Sequence, residues 1–140
     1  MKNINAFFAP ADFISWYKRS GIELPLSDLV LTMLVNYMDG HDYVLASDAG
    51  DQLYQVDKAD GCTAKSSFEL VSIVTVLETV IGWNDSLIEH AEELLTMPTT
   101  KTEEESLTRY LSSLRKDEEL LLIAWDSIPV QEMWKGERSA

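Results

Sequence analysis

Thiol and imidazole groups are scarce in this chain: among 140 residues there is one cysteine, Cys62, and only two histidines, His41 and His90. A lone cysteine cannot close an internal disulfide, so nothing points to an oxidising compartment. Bases are scarce too. Eleven Lys and Arg stand against 24 Asp and Glu, a formal charge of −13. A nucleic-acid binder must neutralise phosphates with Lys and Arg, so direct nucleic-acid binding is not expected. No glycine-rich phosphate loop and no Gly-x-Ser-x-Gly elbow occurs. The longest apolar-rich stretch, Phe68 to Ile81, carries Glu69 and Glu78 and is too short to span a bilayer. The opening Met-Lys-Asn-Ile-Asn lacks the apolar run of a signal peptide, so the expected location is the cytoplasm.

What is present suits one self-sufficient domain over residues 1–140. The apolar fraction of 46%, with four Trp, five Tyr and four Phe, supplies a real core. A chain of this length buries roughly two-thirds of its unfolded surface, so it needs no metal or disulfide to fold.

Punctuation along the chain predicts the elements. Pro10 suits a first helical turn, Phe13, Ile14, Trp16 and Tyr17 form an apolar stripe, and Gly21 can supply a left-handed stop. Ser27 is a good N-cap for a helix from Asp28 to Asp39, ending at Gly40 and apolar on most sides. Tyr43–Ala46 and Leu53–Val56, separated by turn-forming residues, predict a β-hairpin. Ser66 with Glu69 has the form of a capping box opening a buried helix from Phe68 to Ile81. Gly82 is expected to loosen the chain, with Asn84 or Asp85 capping another helix to about Thr96. Leu87, Ile88, Ala91, Leu94 and Leu95 would line its inner face. A second capping box, Thr102 with Glu105, opens a stretch where Leu107, Tyr110, Leu111 and Leu114 keep helical spacing. Arg115-Lys116-Asp117 is the expected kink, Pro129 the stop, and the tail from about Lys135 is expected to fray.

Candidate catalytic and metal sites are weak against simpler readings. Cys62 could be a nucleophile if His41 or His90 reached it, but no orienting group or motif surrounds it, and a structural thiol is the better reading. Glu89-His90 with Glu93 places His and Glu one turn apart without a second histidine, so a solvated face explains it better than a metal. Asp48, Asp51, Asp57 and Asp60 lack the Asp-x-Asp-x-Asp-Gly order and distal Glu of a calcium loop, so loop chemistry is the better reading there too. Paired carboxylates have no specificity in so acidic a chain. No catalytic residue, cofactor or metal ligand is therefore assigned.

The acids are unevenly spread. From Glu69 to Glu105 there are nine (Glu69, Glu78, Asp85, Glu89, Glu92, Glu93, Glu103, Glu104, Glu105) and one base, Lys101. Simple solubility accounts for many acidic surfaces. An acidic surface also suits a basic protein partner, and the residues that would carry it are Glu89, Glu92, Glu93, Glu103, Glu104 and Glu105. Whether such acids are spaced like DNA phosphates is not legible in sequence.

The layout itself has a parallel. A helix ending Tyr37-Met38-Asp39-Gly40 leads into Tyr43-Val44-Leu45-Ala46-Ser47-Asp48-Ala49-Gly50, then a small-polar loop and the apolar run Phe68 to Ile81. A late segment reads Leu107-Thr108-Arg109-Tyr110-Leu111 and ends with Ile123-Ala124-Trp125-Asp126. From about residue 25 to 126 this resembles the antirestriction proteins of the ArdB/KlcA type carried by plasmids and prophages. Where that family opens a helix with Ser-Pro-Glu, this chain has Ser66-Ser67-Phe68-Glu69. The resemblance implies a mixed α/β fold and inhibition of type I restriction enzymes without catalysis.

The expected fold is α+β, mostly helical, with a small β-hairpin or sheet packed on a helical core. The expected function is a non-enzymatic inhibitor of a host defence or restriction system, acting through a partner with a basic surface. Two alternatives stand beside it: an immunity or antitoxin-like protein neutralising a basic partner, and a small carboxylate-using enzyme or metal-binding protein.

Overall fold

In the computed structural model, residues 4–7, 9–22, 24–48, 52–58 and 68–129 are described. Pro10 opens α1 (Pro10–Arg19), which buries Phe13, Trp16 and Tyr17 and gives way at Gly21, whose φ of 77° needs a residue without a Cβ. The Ser27 hydroxyl accepts from the Val30 N–H at 3.2 Å and starts α2 (Asp28–Gly40). That helix buries Val30, Leu31, Met33, Leu34, Val35 and Met38, although Leu29 is 55% exposed. A tight turn follows in which Asp42, at φ 65°, stands in the left-handed region that Asp tolerates better than most residues.

The predicted hairpin forms as β2 (Tyr43–Asp48) and β3 (Leu53–Asp57), with Val44 opposite Val56 and Ala46 opposite Tyr54. Two more strands flank it, β1 (Ile4–Phe7) beside β2 and β4 (Phe68–Leu70) beside β3. The result is a four-stranded antiparallel sheet in the order β1-β2-β3-β4. The protein is thus a mostly helical α+β fold with a small antiparallel sheet.

The remaining chain is a long helical hairpin, α3 (Ile73–Leu95) and α4 (Lys101–Asp126). Several sequence expectations change here. Phe68–Leu70 is strand, because Glu69 lies opposite Gln55 and the Gln55 amide donates to the Glu69 carboxylate at 2.8 Å. The helix therefore starts later, capped by the Ser72 hydroxyl, which accepts from the Thr75 N–H at 3.1 Å. Ser66 and Cys62 lie outside the described residues, as do Asp51, Asp60 and the tail from Lys135. At the start of α4 the cap is Thr100 with Glu103 rather than Thr102 with Glu105. Neither Gly82 nor Arg115-Lys116-Asp117 interrupts its helix.

Gly82 sits mid-helix, exposed, and apart from its own turn of helix nothing lies within 4 Å of where a Cβ would stand. Since glycine costs a helix interior roughly 0.5–1 kcal/mol relative to alanine, Gly82→Ala should stabilise the protein by about that amount. A denaturant midpoint that stays put or falls would show that this helix is less regular than described.

One large core joins α1, α2, the sheet and the adjoining halves of α3 and α4, around Phe13, Leu31, Leu34, Leu45, Leu77 and Leu121. A second, smaller cluster of Ile88, Ala91 and Leu114 holds the far part of the helical hairpin together.

Candidate functional site

Helix lengths explain why the far end of the hairpin stands apart. At a rise of 1.5 Å per residue, α3 and α4 are about 35 and 39 Å long and α2 only about 20 Å. The hairpin outruns the helix it packs on. Beyond the small Ile88, Ala91, Leu114 cluster, α3 and α4 have, among the described residues, chiefly each other as neighbours, and their ends form an arm.

The arm carries all six carboxylates singled out from sequence, and all six are exposed: Glu89, Glu92 and Glu93 on α3, Glu103, Glu104 and Glu105 on α4. Two have local tasks. Glu92 pairs with Arg115 across the helices at 3.2 Å, and Glu103 accepts from the Thr100 N–H at 3.3 Å to complete the cap. Glu89, Glu93, Glu104 and Glu105 make no ion pair among the described residues.

Helix electrostatics separates the two groups further. Glu103 and Glu104 lie in the first turn of α4, where the positive end of the helix dipole favours them. Glu92 and Glu93 lie near the C-terminus of α3, whose last turn contains no base, so the negative end of the dipole disfavours them. The Arg115 pair offsets this for Glu92, whereas Glu93 makes no ion pair among the described residues and is left against the dipole.

Between the two helices at this end lies an open groove of about 600 Å³, with Leu94, Met97, Pro98, Leu107 and Tyr110 supplying apolar surface and Glu103 lining it as well. Met97 is 49% and Tyr110 46% exposed, unusual for large apolar side chains that both face one groove. Leu94 was expected on an inner helix face and Tyr110 at helical apolar spacing. Their spacing is right, but the helix that would cover them ends too early. Met97, in the loop beside Pro98, gave no sequence signal at all.

At the base of the arm a polar network ties three helices together. Asn84, 1% exposed, donates to the Tyr37 hydroxyl at 2.7 Å and to the Leu114 carbonyl at 3.1 Å. Tyr37 in turn donates to Asp117 at 3.1 Å. Asn84 is thus a core residue rather than the helix cap expected of it, and Asp117 is spent on a tertiary contact rather than a kink. Burial pushes the Tyr37 hydroxyl up to about 12, with the Asp117 carboxylate adding to the rise and the Asn84 hydrogen bond opposing it.

The sign of the resulting pH effect follows directly. Tyr37 holds its proton more tightly folded than unfolded, where tyrosine titrates near 10. Its contribution is complete below pH of about 10 and is lost as pH rises from there toward 12. Burial also raises Tyr17, whose hydroxyl donates to the Leu24 carbonyl, so both tyrosines act in one direction. Stability against denaturant should fall through this alkaline window, and Tyr37→Phe should make that fall shallower. A slope unchanged by the substitution would contradict the assignment.

His41 is occupied elsewhere. Its ring stacks on Trp83 with centroids 3.9 Å apart and planes 4° from parallel, and Nδ1 lies 2.9 Å from the Tyr37 carbonyl oxygen. Asp48 and Asp57 stand at opposite ends of the β2–β3 hairpin, so the backbone does not bring these two positions together. Glu89, His90 and Glu93 stay on an exposed helix face. Among the described residues, no group of three or more His, Cys, Asp or Glu is placed to hold a metal ion. No helix among them is long and apolar enough to cross a membrane.

No protein-family model matches the chain, and no curated protein or solved structure matches it either.

Proposed function

We propose that this protein is a non-enzymatic inhibitor that binds a basic surface of another protein, with the acidic arm of α3 and α4 as its docking element. The observation that carries this reading is the concentration of exposed carboxylates on the arm, above all Glu93, which has no ion pair among the described residues and lies near an α3 terminus that disfavours it. An acid placed against its local electrostatics, as Glu93 is, suits a partner better than it suits the fold. Electrostatic complementarity of this kind speeds encounter and sets specificity more than it adds affinity.

The partner class that fits is a protein with a basic surface, such as the nucleic-acid-handling face of a restriction or other defence complex. Such complexes must carry basic surface to hold DNA, and an acidic arm can occupy it without touching nucleic acid. The test is relief of restriction. Cells with a type I restriction system are challenged with unmodified phage, with and without the chain expressed. A rise in plating efficiency supports the reading. Unchanged plating, with a basic toxin captured by the tagged chain at low salt, would instead assign the arm to an immunity or antitoxin-like role.

A further inference from the structure

Resting on that reading, we infer that the groove at the end of the arm is the anchor site for a basic amphipathic helix of the partner. Two observations converge on one occupant. The floor is apolar and open, and among the described residues no element covers Met97 and Tyr110. The arm around it is acidic: Glu103 lines the groove, and between Leu87 and Tyr110 the chain carries six Glu against Lys101 and Arg109, with Arg115 pairing Glu92 alone.

Each property alone would admit other guests, and together they exclude most of them. A second copy of this chain would bring its own acidic arm against this one, and like charges brought together are unfavourable. Nucleic acid and anionic lipid surfaces are repelled for the same reason. A purely basic segment would leave Leu94, Met97 and Tyr110 wet. A helix with an apolar stripe at i, i+3, i+4, i+7 and Lys or Arg on its flanks satisfies both, the stripe entering the groove between α3 and α4 as helix-in-groove recognition requires. Tyr110 is the expected hot spot, because a large aromatic in a groove that excludes water commonly dominates binding.

The probes are two synthetic helical peptides of equal length carrying the same lysines. One has a Leu and Trp stripe; the other has serine at those positions. Binding is followed by fluorescence anisotropy and by NMR shifts of the Met97 methyl and Tyr110 ring. The variant is Met97→Ser with Tyr110→Ser, which alters half-exposed side chains and should leave the thermal midpoint close to wild type. The striped peptide should bind at least about tenfold tighter than the serine peptide, perturb both signals, and lose that advantage on the variant.

Equal binding of both peptides, weakened by salt, overturns the groove while leaving the acidic docking reading standing. Binding of the striped peptide that ignores both the variant and salt overturns groove and docking reading together. Concentration-dependent dimerisation abolished by the variant would assign the groove to a second copy and overturn the proposal.

Discussion

Leu34→Ala should lower stability by about 2–5 kcal/mol, the range for truncating a fully buried leucine and leaving a partly relaxed cavity. Leu34 is 0% exposed on α2, the helix that meets α1, the sheet, α3 and α4 in one core. Its neighbours in that core are themselves buried and packed, which limits their collapse into the space. The cost should therefore fall toward the upper half of that range. Chemical denaturation read by circular dichroism measures it. A loss below about 1 kcal/mol would mean that α2 is not the centre of the core.

Reversing Glu92, Glu93, Glu104 and Glu105 to lysine should have the second large effect, on association instead of stability. All four side chains are exposed. Each reversal adds two charges, so the chain moves from −13 by +8 to −5, with the change confined to the arm. Electrostatic steering changes association rates by roughly 10- to 1,000-fold, whereas exposed charges contribute about 0–1 kcal/mol each to stability. Loss of the Glu92–Arg115 pair, half-exposed on both sides, belongs at the low end of that range. The reversed protein should fold with a nearly unchanged midpoint and engage its partner at least tenfold more slowly, roughly.

The elements most legible in the sequence were those whose ends are set by local chemistry. Pro10, Gly21 and Ser27 act through their own backbone and nearest turn, and α1 and α2 appear where those residues place them. The β2–β3 hairpin was equally local, two β-rich runs around turn residues. Misreadings arose where a distant partner decides. Phe68–Leu70 has a sequence compatible with helix or strand, and the free edge of β3 made it strand. β1 gave no expectation, since its pairing lies across α1 and α2 in the chain.

Asn84 and Gly82 illustrate the same limit from the opposite side. Both residue types favour helix ends, yet α3 runs through them without a break. Asn84 is held by Tyr37 and Leu114, far away in sequence, and Gly82 is simply carried by a long helix packed on α4. The acidic set of the candidate site was readable, because charge counts need no geometry. Its gathering on one arm and the apolar groove beside it were not. Both depend on α2 being shorter than the hairpin it supports, and that comparison exists only once the helices are seen side by side.

The most direct test of the acidic arm is the salt dependence of association. The partner captured at low salt is mixed with the wild-type chain and with the Glu92, Glu93, Glu104, Glu105 reversal, and the association rate is followed as ionic strength rises. Screening shortens from a Debye length of about 30 Å at 0.01 M to about 8 Å at physiological salt. A docking arm therefore predicts a wild-type rate that falls steeply with salt, and a reversed protein that starts slower and shows a flat or inverted slope. Equal rates and equal slopes for the two proteins would contradict the account and leave the carboxylates as solubilising charge alone.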